Sequence, residues 1–179
     1  MKTETPEPRI TNTPVTEAAS PRDEAVEWNP PSIQLKNILV PLDLSEMSLK
    51  SLQYAVPFAK QFGAKLTLLH VLNPPIYPSD FPYPGPNGQD CFSAIQCRLD
   101  EIRDSMIPAE LPTGTIVRQG FAFDGILEVA REIHADLIIS TTHGRTGLDH
   151  LLLGSTAENI ARRAPCPVLV LREHEKDFV

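Results

Sequence analysis

The sequence predicts an α/β fold: a three-layer domain in which a five-stranded parallel sheet carries helices on both faces. Three observations lead there. Short apolar runs alternate five times with segments whose apolar residues recur every three or four positions. The runs are nearly continuous in apolar character, as strands covered on both faces should be. Residues 35–179 are enough for one such domain.

Asn37-Ile-Leu-Val-Pro-Leu-Asp43 opens the domain, apolar until its polar end, and reads as the first strand. Leu52, Ala55, Val56, Ala59 and Phe62 mark the stripe of an amphipathic helix. Gly63 can end that helix in the left-handed conformation. Pro57 lies inside it, removes a backbone donor and is expected to kink it. Lys65 to Leu72 is the second strand, with Leu66, Leu68, Leu69 and Val71 as its apolar content. After a Pro/Gly-rich loop over 73–88, Phe92, Ile95, Leu99, Ile102 and Met106 form the face of a second helix, closed by Pro108. Thr115 to Gln119 is the third strand. Asp124 reads as the cap of a helix burying Ile126, Leu127, Ala130 and Ile133. Asp136 to Ser140 is the fourth strand. Residues 155–164 are the last helix, with Ala157, Ile160, Ala161 and Ala164 inward, and Pro167 to Leu171 is the fifth strand.

Residues 1–34 differ in kind. They hold six of the 18 prolines and carry three basic against six acidic residues, with few large apolar side chains. Such a stretch cannot bury enough surface to offset the cost of ordering it, so a disordered tail is predicted, with 35–179 as the folded domain. The net charge of −7 lacks the basic footprint of a nucleic-acid binder. No apolar run approaches the roughly 20 residues of a membrane span, and a cytoplasmic setting is expected. Cys91, Cys97 and Cys166 have no CxxC spacing, so neither a disulfide framework nor a structural zinc site is indicated, and buried, inert thiols are expected. His70, His134, His143, His150 and His174 show no HxxxH or HExxH spacing, and no GxSxG elbow occurs.

The chemically informative stretch is Ser140-Thr-Thr-His-Gly144-Arg-Thr-Gly147-Leu-Asp-His-Leu-Leu-Leu-Gly154-Ser155-Thr156. It leaves the end of the fourth strand and enters the last helix. In an open parallel sheet, ligands bind beyond the carboxyl ends of the strands, where the strand order reverses. Glycines there admit close approach of backbone amides to a phosphate, and a helix N-terminus favours an anion. The alternative is purely structural: Ser155-Thr-Ala-Glu158 is also a capping box that would satisfy the same amides. Neither a P-loop nor a dinucleotide fingerprint is present.

The arrangement resembles the universal stress protein family over residues 36–172. The resemblance rests on Lys36-Asn-Ile-Leu-Val-Pro-Leu-Asp43, Leu68-Leu-His-Val71, Ala135-Asp-Leu-Ile-Ile139, His143-Gly-Arg-Thr-Gly147, Leu151-Leu-Leu-Gly-Ser155 and Ala164-Pro-Cys-Pro-Val-Leu-Val170, in the family's order and spacing. It implies a sheet of order 3-2-1-4-5 and a homodimer assembled through the last strand. The ATP-binding branch carries G-x2-G-x9-G-[ST], of which Gly144, Gly154 and Ser155 match the last three elements. Thr141 stands at the first glycine. Its β-branched side chain either intrudes beside the ribose or offers a hydroxyl to it.

Carried over residue by residue, the resemblance places Asp43 at the adenosine and the Val71 backbone at the adenine edge. Gly144, Gly154, Ser155 and Thr156 would serve the phosphates, with Arg145 as a supplementary charge. The structural alternatives are a helix cap for Asp43 and core packing for Val71. ATP is the implied cofactor, with Mg2+ or Mn2+ held mainly by phosphate oxygens. The implied function is nucleotide sensing or partner binding in stress response. No enzyme activity beyond slow hydrolysis is expected, because no water-activating base is evident. The alternative is a family member that has lost the nucleotide and acts purely as an interaction module. An adenylating enzyme would need an SGGxDS-like loop where Pro41-Leu-Asp-Leu-Ser45 stands.

Overall fold

Parallel pairing joins all five strands, in the order β3-β2-β1-β4-β5. A computed structural model describes residues 32–73, 88–142 and 155–172, with backbone alone at 88–90 and 155. Two units divide the chain, Met1–Ser32 and Ile33–Val179, and the second holds every described element. These are β1 (Asn37–Pro41), α1 (Glu46–Phe62), β2 (Lys65–Leu72), α2 (Gly88–Met106), β3 (Thr113–Gln119), α3 (Ala122–Glu132), β4 (Leu137–Thr141), α4 (Ser155–Arg163) and β5 (Val168–Leu171). The predicted fold class and strand order are both observed. The tail through residue 31 and the Pro-rich loop over 74–87 lie outside the described residues.

Side-chain alternation along the strands builds two cores. Ile38, Val40, Leu66, Leu68 and Ile139 point to one face, where Leu52, Ala55 and Ala59 of α1 and Leu99 and Ile102 of α2 cover them. Leu39, Leu69 and Ile138 point to the other, under Ile126, Val129 and Ala130 of α3 and Ile160 of α4. A parallel sheet requires crossovers of this kind, and the helices they contain cover both faces.

Several local expectations need correction. The α1 stripe extends back through Ser48 and Ser51, both buried. Their hydroxyls donate to the carbonyls of Ser45 (2.9 Å) and Ser48 (2.5 Å), which satisfies them inside the helix. Pro57 lies on the exposed side of α1, where water can serve the carbonyl it leaves unpaired, and the helix runs through it to Phe62. Gly63 ends α1 at φ +65°, as expected. Asp124 does not cap α3. Phe121 occupies the cap position without a side-chain bond, and Asp124 sits in the first turn, where its charge suits the helix dipole. The ends of the α2 face are exposed, Phe92 at 39% and Met106 at 44%, because Ile107 and Leu111 after the helix complete the core instead. Ala161 is likewise exposed.

The cysteines depart furthest from expectation. Cys91 and Cys97 are exposed on α2, and Cys166 is half-buried. Burial pushes the Cys166 thiol above its ordinary range, and the nearby negative charge of Asp136 adds to the shift. Folding therefore disfavours the thiolate, and stability falls as pH rises from the unfolded value through the raised folded one. Iodoacetamide at pH 8 should modify Cys91 and Cys97 well before Cys166, because the thiolate is the nucleophile. Peptide mass spectrometry over a time course checks this; equal rates at the three sites would contradict it.

Candidate functional site

At the amino end of the strands β1 and β4 are held together. Asp136 Oδ2 accepts from the backbone N–H of Lys36 (2.7 Å) and Asn37 (2.9 Å), and Asp136 N–H donates to the Asn37 carbonyl (2.8 Å). At the carboxyl end they separate. The paired positions are Ile38 with Leu137 and Leu39 with Ile138. One further step needs an N–H from residue 41 to reach the Ile139 carbonyl, and residue 41 is proline. The ladder ends at the point where the strand order reverses, which is where such a sheet offers a crevice.

The β1 lip of this crevice is the turn Leu42-Asp43-Leu44-Ser45. Leu44 holds φ +67°, a left-handed conformation unusual for a branched residue and a form of local strain. Asp43 is half-buried, and its Oδ1 accepts from Ser45 N–H (3.0 Å) and Ser45 Oγ (2.5 Å). Ser45 is the N-cap of α1, accepting from Ser48 N–H at 3.2 Å. The helix-cap alternative for Asp43 is thus realised one step removed: Ser45 caps, and Asp43 braces the cap through one carboxylate oxygen.

Beside this lip, β2 runs past the end of β1. The alternation that aims the Leu69 carbonyl at Leu42 N–H (2.7 Å) also aims the backbone N–H and C=O of Val71 toward the β1 side, beyond Pro41. The Val71 side chain faces the opposite way from the His70 ring, onto α3. A Cβ placed on Gly125 would meet both Val71 methyls at 3.0 Å. Gly125, a costly residue in mid-helix, is explained by this contact. Packing of the Val71 side chain on α3 is therefore compatible with its backbone groups facing the β1 side. His70 is buried, and its Nδ1 lies 2.7 Å from the Leu42 carbonyl. Neither Gly125 nor His70 was singled out for the site by its spacing, since both matter through contacts across the sheet.

On the facing side, β4 extends one residue further than expected, so that Thr141 is its last residue, level with Leu171 of β5. It is half-buried, and Thr142 N–H donates to the Leu171 carbonyl (2.8 Å). The helix α4 begins at Ser155, with Thr156 exposed in its first turn and Ala157 and Ile160 buried as anchors. Glu158 Oε1 is engaged by Arg162 one turn on, at 3.1 Å from Nε. His143, Gly144, Arg145 and Gly154 lie outside the described residues. Among the described residues no three His, Cys, Asp or Glu side chains converge to hold a metal, and no helix is long and apolar enough to cross a membrane.

A doubly wound sheet of order 3-2-1-4-5, whose strand order reverses between β1 and β4, defines a Rossmann-like α/β protein. Within that class, the chain belongs to the universal stress protein family, whose model matches residues 34–172. It is 30% identical over 147 residues to the universal stress protein MJ0531 of Methanocaldococcus jannaschii, covering 79% of this chain and 85% of that one. It resembles the solved universal stress protein UspA from Lactobacillus plantarum, with a TM-score of 0.59 and 25% identity over 79% of this chain and 100% of that one. A universal stress protein solved in complex with cAMP matches with a TM-score of 0.58 and 24% identity, over 78% of this chain and 98% of that one, a likeness of fold.

Proposed function

We propose that this protein binds an adenine nucleotide, ATP in the first instance, in the crevice between β1 and β4. The bound state would serve a dimeric nucleotide-sensing or partner-binding module in stress response, with hydrolysis slow at most. The observation that supports this most directly is the end of the β1–β4 ladder at Pro41. It leaves a crevice flanked by the Asp43 turn, the Val71 backbone groups and Thr141. These suit a nucleoside: a carboxylate acceptor for ribose or base donors, and a paired N–H and C=O for a base edge. The first turn of α4, reached through Gly154 and Ser155, suits the phosphates. Mg2+ or Mn2+ would be held chiefly by phosphate oxygens. The match to a cAMP complex belongs to that protein; for this chain the reading rests on its own crevice and sequence pattern. In the dimer, β5 would pair across a two-fold axis, since Val168, Leu169 and Val170 are only half-buried on a strand at the edge of the order.

Thr141 favours the second reading, a family member that has lost the nucleotide and works as an interaction module. Titration of the purified protein with ATP separates the two. Binding is expected in the parent, and Asp43→Ala should weaken it by about 1–3 kcal/mol, the scale of a hydrogen bond to a charged group. Thr141→Gly should bind more tightly than the parent if the side chain intrudes, and more weakly if its hydroxyl serves the ribose. No binding by the parent or by Thr141→Gly would leave the interaction module. Light scattering on the same sample should give the mass of a dimer, and a monomeric mass would remove that part of the proposal.

A further inference from the structure

The ladder between β1 and β2 stops in an unusual way. Leu42 N–H donates to the Leu69 carbonyl, so the next bond of a regular parallel ladder would run from Val71 N–H to the Leu42 carbonyl. That carbonyl instead meets the Nδ1 of His70 at 2.7 Å. A carbonyl only accepts, so Nδ1 carries the proton and donates. His70 is 7% exposed, buried on the α1/α2 side of β2 between the two residues that matter: it precedes Val71 in sequence and bonds the residue preceding Asp43.

We infer that His70 is a positioning residue that diverts the Leu42 carbonyl from the β1–β2 ladder and so presents the Val71 N–H to the base of a bound nucleotide. This rests on the adenine-nucleotide reading above. A side-chain donor takes the place of a backbone donor, the strand edge is held in register, and the displaced amide points past the end of β1. With the Val71 carbonyl beside it, this amide forms an adjacent donor and acceptor. Adenine presents the complement, a ring-nitrogen acceptor beside its amino donor. Guanine presents a carbonyl acceptor beside a ring N–H, and placing them against the same pair requires a shift of the base. The His70 contact therefore bears on which purine is held, beyond how tightly the strand is held. Gly125 completes the mounting from the other face, because α3 seats directly on the Val71 methyls.

The test uses the full chain and variants His70→Leu and His70→Ala, which remove the donor, with His70→Asn, whose amide nitrogen falls near the position of Nδ1. Backbone amide exchange at Val71, followed by NMR without nucleotide, reads the diversion itself. Exchange should slow roughly tenfold or more in the donor-less variants, as the Leu42 carbonyl takes the Val71 N–H, and stay near the parent rate in His70→Asn. ATP affinity should fall roughly twofold to tenfold in the same variants, the range of one hydrogen bond, and recover in His70→Asn. GTP affinity should change less, so that the ATP-to-GTP ratio drops. Unchanged Val71 exchange in folded donor-less variants would overturn the diversion. Slowed exchange with an unchanged ATP-to-GTP ratio would overturn the role in base recognition. A parent that binds no nucleotide removes that role together with the proposed function, while the exchange measurement still decides whether His70 diverts the carbonyl.

Discussion

Leu39→Ala is expected to destabilise the protein by about 2–5 kcal/mol, the range for truncating a fully buried leucine. Leu39 is 0% exposed, in the central strand, paired to β2 on one side and β4 on the other. Its side chain lies with Leu69, Ile126, Val129 and Ile138 on the α3/α4 face. Strands on both sides restrict collapse around the vacated volume, so the cavity cost adds to the lost burial. The melting temperature should drop by roughly 4–20 °C, at about 2–4 °C per kcal/mol for a domain of this size. Ile33→Ala is the matched control: Ile33 is 72% exposed, and its truncation should stay within about 0.5 kcal/mol. Urea denaturation of both variants decides the point. A Leu39→Ala loss below about 1 kcal/mol would mean that the sheet relaxes around the site far more than two flanking strands permit.

Gly154→Val is expected to abolish ATP binding while leaving the fold intact. Gly154 immediately precedes Ser155, where α4 starts, and in the proposed reading the first-turn amides serve the phosphates, so a branched residue at this sequence position should block their approach. Losing several charge-assisted hydrogen bonds at roughly 1.5–3 kcal/mol each puts the expected loss at ~100-fold or more. Ala157 and Ile160 anchor the helix from its buried side, so the melting temperature should change little. Gly154→Ala, with a smaller side chain, should fall between parent and valine. A folded Gly154→Val protein that binds ATP within about threefold of the parent would show that the phosphates do not lie against this turn.

Much of the fold was legible because it rests on patterns local in sequence. The apolar runs around Leu39, Leu68 and Ile138 and the helical stripe of Ile126, Leu127 and Ala130 announce buried elements wherever the chain places them. Gly63 ends α1 for a reason contained in its own backbone. The misreadings of burial have two sources. Phe92, Met106 and the two α2 cysteines carry an apolar signal, but whether a helix end is covered depends on what the rest of the chain brings over it. Ser48 and Ser51 carry a polar signal, yet they are buried because a hydroxyl can bond back to its own helix.

For the candidate site the division is sharper. Asp43, Thr141 and the glycine spacing stand out in the linear chain because resemblance to a family operates on residue identity and order. The strand-to-loop passages that place Asp43 and Thr141 at the carboxyl ends are equally readable. Pro41 can be read as a residue without an N–H, but only the β1–β4 register shows that the missing donor would have continued that particular ladder. His70 and Gly125 gain their meaning from Leu42, 28 residues before the histidine, and from Val71, across a helix–sheet contact. Periodicity and propensity describe how a residue relates to its neighbours along the chain. Which carbonyl a ring reaches, and which methyls a helix must sit against, are set by packing between segments distant in sequence, and only the folded sheet brings those partners together.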